Sequence, residues 1–233
     1  MDRLKKWDKD EGAGPVTEAD LAVNAYLEDT LQAARPDYGW LSEETEDSEA
    51  RLKKSRAFVI DPIDGTRSFI EGSTTWAHSI AVVEDGRPIA AVVYLPLRQK
   101  LYSAALGQGA TLNGKTIMAS RRSKLEGSEL LAARPAFEPH HWKSDPPDLK
   151  RAYRPSLAYR LALVAEGRYD GMLTLRRSWE WDIAAGALLI TEAGAQVTDR
   201  KGADLRFNKS DPASNGVVAS SANIHAELIK ALA

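Results

Sequence analysis

Asp61 and Asp64 flank Pro62 at the end of an apolar run, Ala57 to Ile60, and Gly65-Thr66 follows directly. The run suits a buried strand, so Asp61 stands where that strand leaves the core. Pro62 carries no N–H and a fixed φ, which predicts that the chain turns there instead of pairing onward. Asp64 then reaches back beside Asp61. Two carboxylates that close repel unless a cation lies between them, and oxygen-only ligands suit a hard ion such as Mg²⁺. Gly65 and Thr66 add a tight turn, a hydroxyl and free amides that can receive a phosphate. Taken alone, DPxDG serves equally as an Asp-Pro turn with an Asx cap and a Gly bend.

Other acids stand at element ends. Asp182 opens a helix of small residues, Ala184-Ala185-Gly186-Ala187. It reads either as a dipole-favoured N-terminal acid or as a carboxylate carried into a cleft by close helix packing, completing a metal site with Asp61 and Asp64. Glu43 and Glu44 lie in the loop before the strand that ends at Asp61, and solvated loop charge is their alternative reading.

The elements that must position these groups follow the apolar periodicity. Thr17 three residues before Asp20 forms a variant capping box, opening a helix whose apolar positions include Leu21, Val23, Ala25 and Leu27 and which stops before Pro36. His78–Val83 and Pro88–Tyr94 flank Glu84-Asp85-Gly86-Arg87, a hairpin. Lys100–Ala105 and Ala110–Leu112 continue the strands up to an Asn113-Gly114 turn. A strand restarts at Leu130–Ala133, and 135–147, rich in proline and without a period, reads as a surface loop. Ser156–Glu166 is a helix stopped by Gly167. Then come strand Gly171–Leu175, helix Trp181–Ala193, strands Gln196–Asp199 and Gly216–Ser220, and a last helix, Ile224–Leu232. The fold class is α/β of the mixed α+β kind. One lobe spans 1–125 with an antiparallel sheet and most of the acids, and a second spans 126–233 and supplies Asp182.

With 233 residues, 43% hydrophobic and 27% charged, the chain is long enough and apolar enough to bury a core. The net charge of −2, with basic and acidic residues interleaved, argues against a nucleic-acid surface. There is no cysteine, which excludes thiolate chemistry and makes a reducing cytoplasm the expected compartment. No apolar run approaches a membrane span, and MDRLKKWDKD is too polar for a secretory signal. The four histidines lack ligand spacing. The six tryptophans read as wall and core, with Trp179 also able to stack a ligand.

Four ordered segments, PVTEAD (15–20), LSEE (41–44), DPIDGT (61–66) and WDIAAG (181–186), resemble the inositol monophosphatase family, as do GRPIAAVVYLP and GQGATLNG. The resemblance implies a layered α-β-α-β-α sandwich of the inositol monophosphatase/fructose-1,6-bisphosphatase type, forming a homodimer. It implies a lithium-sensitive phosphomonoesterase using two to three Mg²⁺ ions and acting on a small phosphorylated substrate. Glu43, Asp61 and the carbonyl of Ile63 are then ligands of one ion, and Asp61, Asp64 and Asp182 of a second. A third, weaker ion leans on Glu43. Thr66, hydrogen-bonded to Asp20, orients the attacking water, while the Gly65 and Thr66 amides hold phosphate oxygens. Lys9 falls where the family often has a lysine near the phosphate.

The departures concern the substrate. Where inositol-specific members carry a sugar-binding glutamate this chain has Leu175, followed by Arg176 and Arg177, and Arg160 falls where nucleotide bisphosphatases often carry lysine. LSEE and LVAEG are similar to the 3′(2′),5′-bisphosphate nucleotidase branch, and GTRSFI with Trp76 to the histidinol-phosphatase branch. The family's long N-terminal helix is shortened or absent. A regulatory or RNA-associated binding module on the same fold is the non-enzymatic reading.

Overall fold

The computed structural model describes residues 5–8 and 14–233; Lys9 lies outside the described residues. Lys6–Asp8 (β1) pairs antiparallel with Pro15–Thr17 (β2). Thr17 then caps helix α1, Glu18–Ala34: its side chain accepts from the Ala19 and Asp20 amides, and the Asp20 carboxylate accepts from the Thr17 amide at 2.8 Å. The capping box is complete in both directions.

The face that α1 turns inward differs from the apolar stripe read from sequence. Leu21 and Ala25 are exposed, while Asp20 and Asn24 are buried. Polar contacts select this face. Ser42 Oγ donates to Asn24 Oδ1 at 2.6 Å, Asn24 Nδ2 donates to Thr45 Oγ1 at 2.9 Å, and Asp20 meets Thr66. A buried polar network of this kind specifies one docking geometry in a way that greasy contact does not.

Seven strands follow in spatial order: β3 (Gly39–Ser42), β4 (Arg56–Asp64), β5 (Ala77–Glu84), β6 (Arg87–Leu95), β7 (Lys100–Ala105), β8 (Ala110–Leu112) and β9 (Lys115–Ile117). Only the β3–β4 pair is parallel. Asp85-Gly86 and Asn113-Gly114 close two of the hairpins with positive φ at both positions, the backbone of a type I′ turn. The short helix α2, Thr66–Ile70, links β4 to β5.

A second sheet has the order β11 (Lys150–Ala152), β10 (Glu129–Leu131), β12 (Gly171–Trp179), β14 (Ala213–Ser220), β13 (Gln196–Thr198). Its first three strands are parallel and the rest antiparallel. The helices α3 (Leu157–Ala165) and α4 (Glu180–Glu192) pack on each other and on both sheets, α1 lies against β4, and α5 (Ala222–Ala231) lies against β13 and β14. The result is five layers, α-β-α-β-α, as expected.

Period-two alternation explains how one sheet serves two cores. Leu131, Met172, Val217 and Ala219 face α3 and α4, while Leu130, Leu173 and Val218 face α5. Segment 135–147 is more than a surface loop. Trp142 is buried in the α5-side core, and its indole N–H donates to the Ala136 carbonyl at 3.0 Å. No helix among the described residues is long and apolar enough to cross a membrane.

Candidate active site

Strand β4 delivers Asp61 and Asp64, and it does not stop where Pro62 suggested. Asp61 pairs with Ser79 and Asp64 with Ala77, so three steps on β4 match two on β5. The surplus residue forms a β-bulge, and Pro62, which has no ladder proton to lose, sits inside it. Asp61 Oδ1 accepts from the Ile63 amide at 2.9 Å, and His78 Nδ1 bonds the Pro62 carbonyl. The bulge turns both aspartates to the same side.

Gly65 then takes φ +101° as the N-cap of α2, a conformation that costs glycine little. Thr66 follows. Its Oγ1 lies 3.2 Å from Asp20 Oδ1 and 3.2 Å from the Ile63 carbonyl. Asp20 Oδ2 is occupied by the Thr17 amide and hydroxyl, at 2.8 and 2.5 Å. Asp20 Oδ1 and the Ile63 carbonyl are therefore the two acceptors open to the Thr66 proton.

Asp182 arrives from the other side, in the first turn of α4. Gly186, one turn on, lets α4 approach α3: a Cβ added there would collide with the Leu161 side chain. Glu180 anchors the approach from below. It is fully buried, accepts from the Asn208 and Lys209 amides, and has Lys209 Nζ at 3.7 Å. Burial nevertheless pushes its carboxyl up to about 7. The Trp181 carbonyl, beside Asp182, accepts from Ser79 Oγ at 2.9 Å, tying α4 to β5.

One carboxylate oxygen from each of Asp61, Asp64 and Asp182 lies within 4.8 Å of the other two. Burial, then the charges of Glu43, Asp64 and Asp182, hold Asp61 well above the usual carboxylate range. Burial, then Asp64 and Glu43, do the same for Asp182, with Arg176 opposing. Asp64 rises only to about 6: burial raises it, but Ser156 Oγ (2.7 Å) and the Ala158 amide (2.6 Å) donate to its Oδ2. The charge of Glu43 raises all three aspartates as well. Mutually repelling buried oxygens with no nitrogen or sulfur donor are a donor set for a hard divalent cation, so the residues present fit Mg²⁺.

The cavity over this cluster is lined by Glu43, Asp64, Thr66, Asp182, Arg160 and Arg176, among others. Arg160 and Arg176 therefore both open onto it. Arg176 gets there through a second bulge, between Thr174 and Arg177 on β12, which carries that strand past its expected end at Leu175. Arg177 turns away: it forks onto Asp211 and stacks over Trp179, 4.8 Å from the ring centroid. Trp179 stacks on Trp181 at 4.9 Å and does not line the cavity.

Sequence reading missed Ser156 as a partner of Asp64, Arg67 and Tyr153 as lining groups, and Glu180. Ser156 adopts φ +67° at the N-cap of α3, and nothing in its neighbours signals that. Glu180 was legible in principle, as an acid two residues before Asp182 between two tryptophans.

The family model for the inositol monophosphatase family matches residues 2–233. This chain belongs to the inositol monophosphatase family. An inositol-1-monophosphatase of Mesorhizobium japonicum is 35% identical over 217 residues, covering 87% of this chain and 79% of the relative. The Nus factor SuhB of Escherichia coli strain K12 is 37% identical over 198 residues, covering 80% and 72%. The solved structure of a Thermotoga maritima IMPase superposes with a TM-score of 0.81 at 30% identity, over 98% of this chain and 87% of that one. The acidic cluster is consistent with the metal site of an inositol monophosphatase family member. The relatives divide between a phosphatase and a Nus factor.

Proposed function

We propose that this chain is a Mg²⁺-dependent phosphomonoesterase acting on a small phosphorylated metabolite. The supporting observation is the convergence of three carboxylates from β4 and α4 within 4.8 Å, in a cavity that also exposes Thr66 and its tie to Asp20. Glu43, Asp61, the Ile63 carbonyl, Asp64 and Asp182 are the residues that would hold Mg²⁺. When bound, the ions lower the pKa of the nucleophilic water and offset charge on the phosphoryl group.

The chain's own groups do the positioning. Because the Thr66 proton is directed to Asp20 Oδ1 or the Ile63 carbonyl, the Thr66 oxygen presents lone pairs to the cavity. It can accept a proton of the attacking water and aim its oxygen at phosphorus, an orientation effect. Gly65 and Thr66 amides receive phosphoryl oxygens, and Asp64 and Asp182 border the substrate's first atoms. Arg160 and Arg176 stand on the leaving-group side.

Inositol phosphate, 3′-phosphoadenosine 5′-phosphate and histidinol phosphate are the three substrate readings, and Leu175 in place of an acid weighs against the first. Phosphate release from each, with and without Mg²⁺ and with added Li⁺, tests the assignment. Metal-dependent, lithium-inhibited release supports it. No release from these compounds or from an aryl phosphate moves the weight to the second reading, a binding role of the kind named for the E. coli relative. Light scattering checks the homodimer that the resemblance implies.

A further inference from the structure

Glu43 and Asp182 come to the acid cluster from different sheets. Glu43 follows β3 of the seven-stranded sheet, whereas Asp182 opens α4 directly after β12 of the other sheet. One short bend, Asn208-Lys209, is tied to both segments.

Opposite charges hold that bend from its two sides. The Glu180 carboxylate, two residues before Asp182, accepts from the Asn208 amide at 2.5 Å and from the Lys209 amide at 3.4 Å. From the other side Arg51 Nη1 donates to Asn208 Oδ1 at 2.7 Å, and Arg51 Nη2 donates to the Lys209 carbonyl at 2.8 Å. Arg51 lies in a 3₁₀ helix, Glu49–Lys53, between β3 and β4. It also forks onto Asp47, Nε to Oδ1 at 2.7 Å and Nη2 to Oδ2 at 2.8 Å, which fixes it to the segment that carries Glu43. Gly39 closes the base of that segment: a Cβ added there would collide with the Arg51 Cβ. Asn208 stands at φ +58°, a left-handed conformation in which asparagine is enriched.

Both charges are buried, Arg51 at 3% exposure and Glu180 at none. Desolvation offsets much of what such groups gain from attraction, and well-packed apolar side chains often hold a fold as well. What a forked, charge-assisted bond adds is direction, because its partners meet in one geometry.

We infer that Arg51 and Glu180 are positioning residues of the metal site: acting through the Asn208-Lys209 bend, they fix where Glu43 stands relative to Asp182, and hence the spacing of the oxygens that receive Mg²⁺. Neither residue lines the cavity over the acids, so both act through the ligands. This rests on the Mg²⁺-dependent reading above and adds to it the groups that set the site's dimensions. Mg²⁺ demands near-ideal octahedral geometry, whereas Ca²⁺ accepts irregular geometry and longer bonds. Loosening the bend therefore penalises Mg²⁺ more than Ca²⁺.

The test is calorimetric titration of Mg²⁺ and of Ca²⁺ into the parent chain, Asn208→Gly and Arg51→Lys, with melting temperature and phosphate release from an aryl phosphate recorded for each. Glycine keeps the positive φ and removes the side-chain carbonyl that Arg51 grips, while lysine keeps the charge and loses the fork. In both variants Mg²⁺ affinity should fall about three- to tenfold, the scale of one hydrogen bond, and Ca²⁺ affinity should fall less. Leu228→Ala, which opens a cavity in the remote α5-side core, should lower the melting temperature and leave both affinities unchanged. Unchanged Mg²⁺ affinity in either variant, an equal loss for the two ions, or the same loss in Leu228→Ala overturns the positioning role and leaves the phosphatase reading intact. Mg²⁺ binding by the parent without phosphate release counts against the phosphatase reading alone. A parent chain that neither binds Mg²⁺ nor releases phosphate overturns both.

Discussion

Ser156 Oγ donates to Asp64 Oδ2 at 2.7 Å, across 92 residues of chain, from a backbone held at φ +67°. The same hydroxyl oxygen accepts from the Tyr159 amide as the N-cap of α3. One side chain therefore starts a helix in the middle layer and orients an acid on the sheet beneath it. With the Ala158 amide on the same oxygen, Asp64 has one lobe fixed by protein and the other free for a cation.

Ser156→Gly isolates that link, because glycine keeps the positive φ without strain and removes only the hydroxymethyl group that carries the bond. The Mg²⁺ concentration for half-maximal activity should rise about three- to tenfold, the cost of one hydrogen bond to a charged group. Thermal stability should fall by only a few tenths of a kcal/mol, as for other cap-to-glycine changes. An unchanged Mg²⁺ requirement contradicts the link.

Gly186→Ala tests the close approach of α4 to α3. The added methyl collides with Leu161, and overpacking of this sort costs about 1–3 kcal/mol. Since α4 carries Asp182, the variant should also bind Mg²⁺ more weakly. A variant as stable as the parent shows that the helices have slack.

Thr66→Ala should lower kcat by about 10²–10⁴, the scale of positioned proton transfer, while Mg²⁺ affinity stays within about threefold, since the hydroxyl is not among the proposed ligands. Asp20→Asn should lower kcat in the same direction but less, because an amide oxygen still accepts the Thr66 proton. Equal loss of turnover and metal affinity in Thr66→Ala argues against a water-orienting role.

The pH dependence has a definite sign. In metal-free protein the carboxyls of Asp61, Asp64 and Asp182 titrate higher than in the unfolded chain, Asp64 at about 6. The native state thus holds protons that the unfolded chain has already released, so this contribution to stability is lost as pH rises through 6. Mg²⁺ takes the place of those protons. The rise in melting temperature from EDTA to Mg²⁺ should be small at pH 5 and large at pH 7.5, and taking the difference cancels remote groups such as His225. A shift that shrinks with rising pH contradicts the account.

The Asp61–Asp64 pair, the capping box at Thr17 and both Gly-closed turns were legible because each is local: the residues that dictate the geometry are neighbours in sequence. The bulges at Pro62 and Arg176 were not, since a strand's continuation is decided by its pairing partner, β5 or β14, tens of residues away. The same holds for the inward face of α1. Its apolar residues suggested one stripe, but Asn24 and Asp20 found buried partners on three other segments and rotated the helix accordingly. Ser156 was invisible for a related reason: positive φ at a serine is imposed by tertiary contact, not by propensity.

The central claim is that Asp61, Asp64 and Asp182 hold one divalent ion between them. Calorimetric titration of Mg²⁺ into the parent chain and into Asp182→Asn, with circular dichroism to verify the fold, tests it directly. The account predicts Mg²⁺ binding in the parent and a loss of at least about tenfold in affinity for the folded variant, as expected for removing a charged ligand without removing bulk. Equal affinity in the two proteins contradicts it.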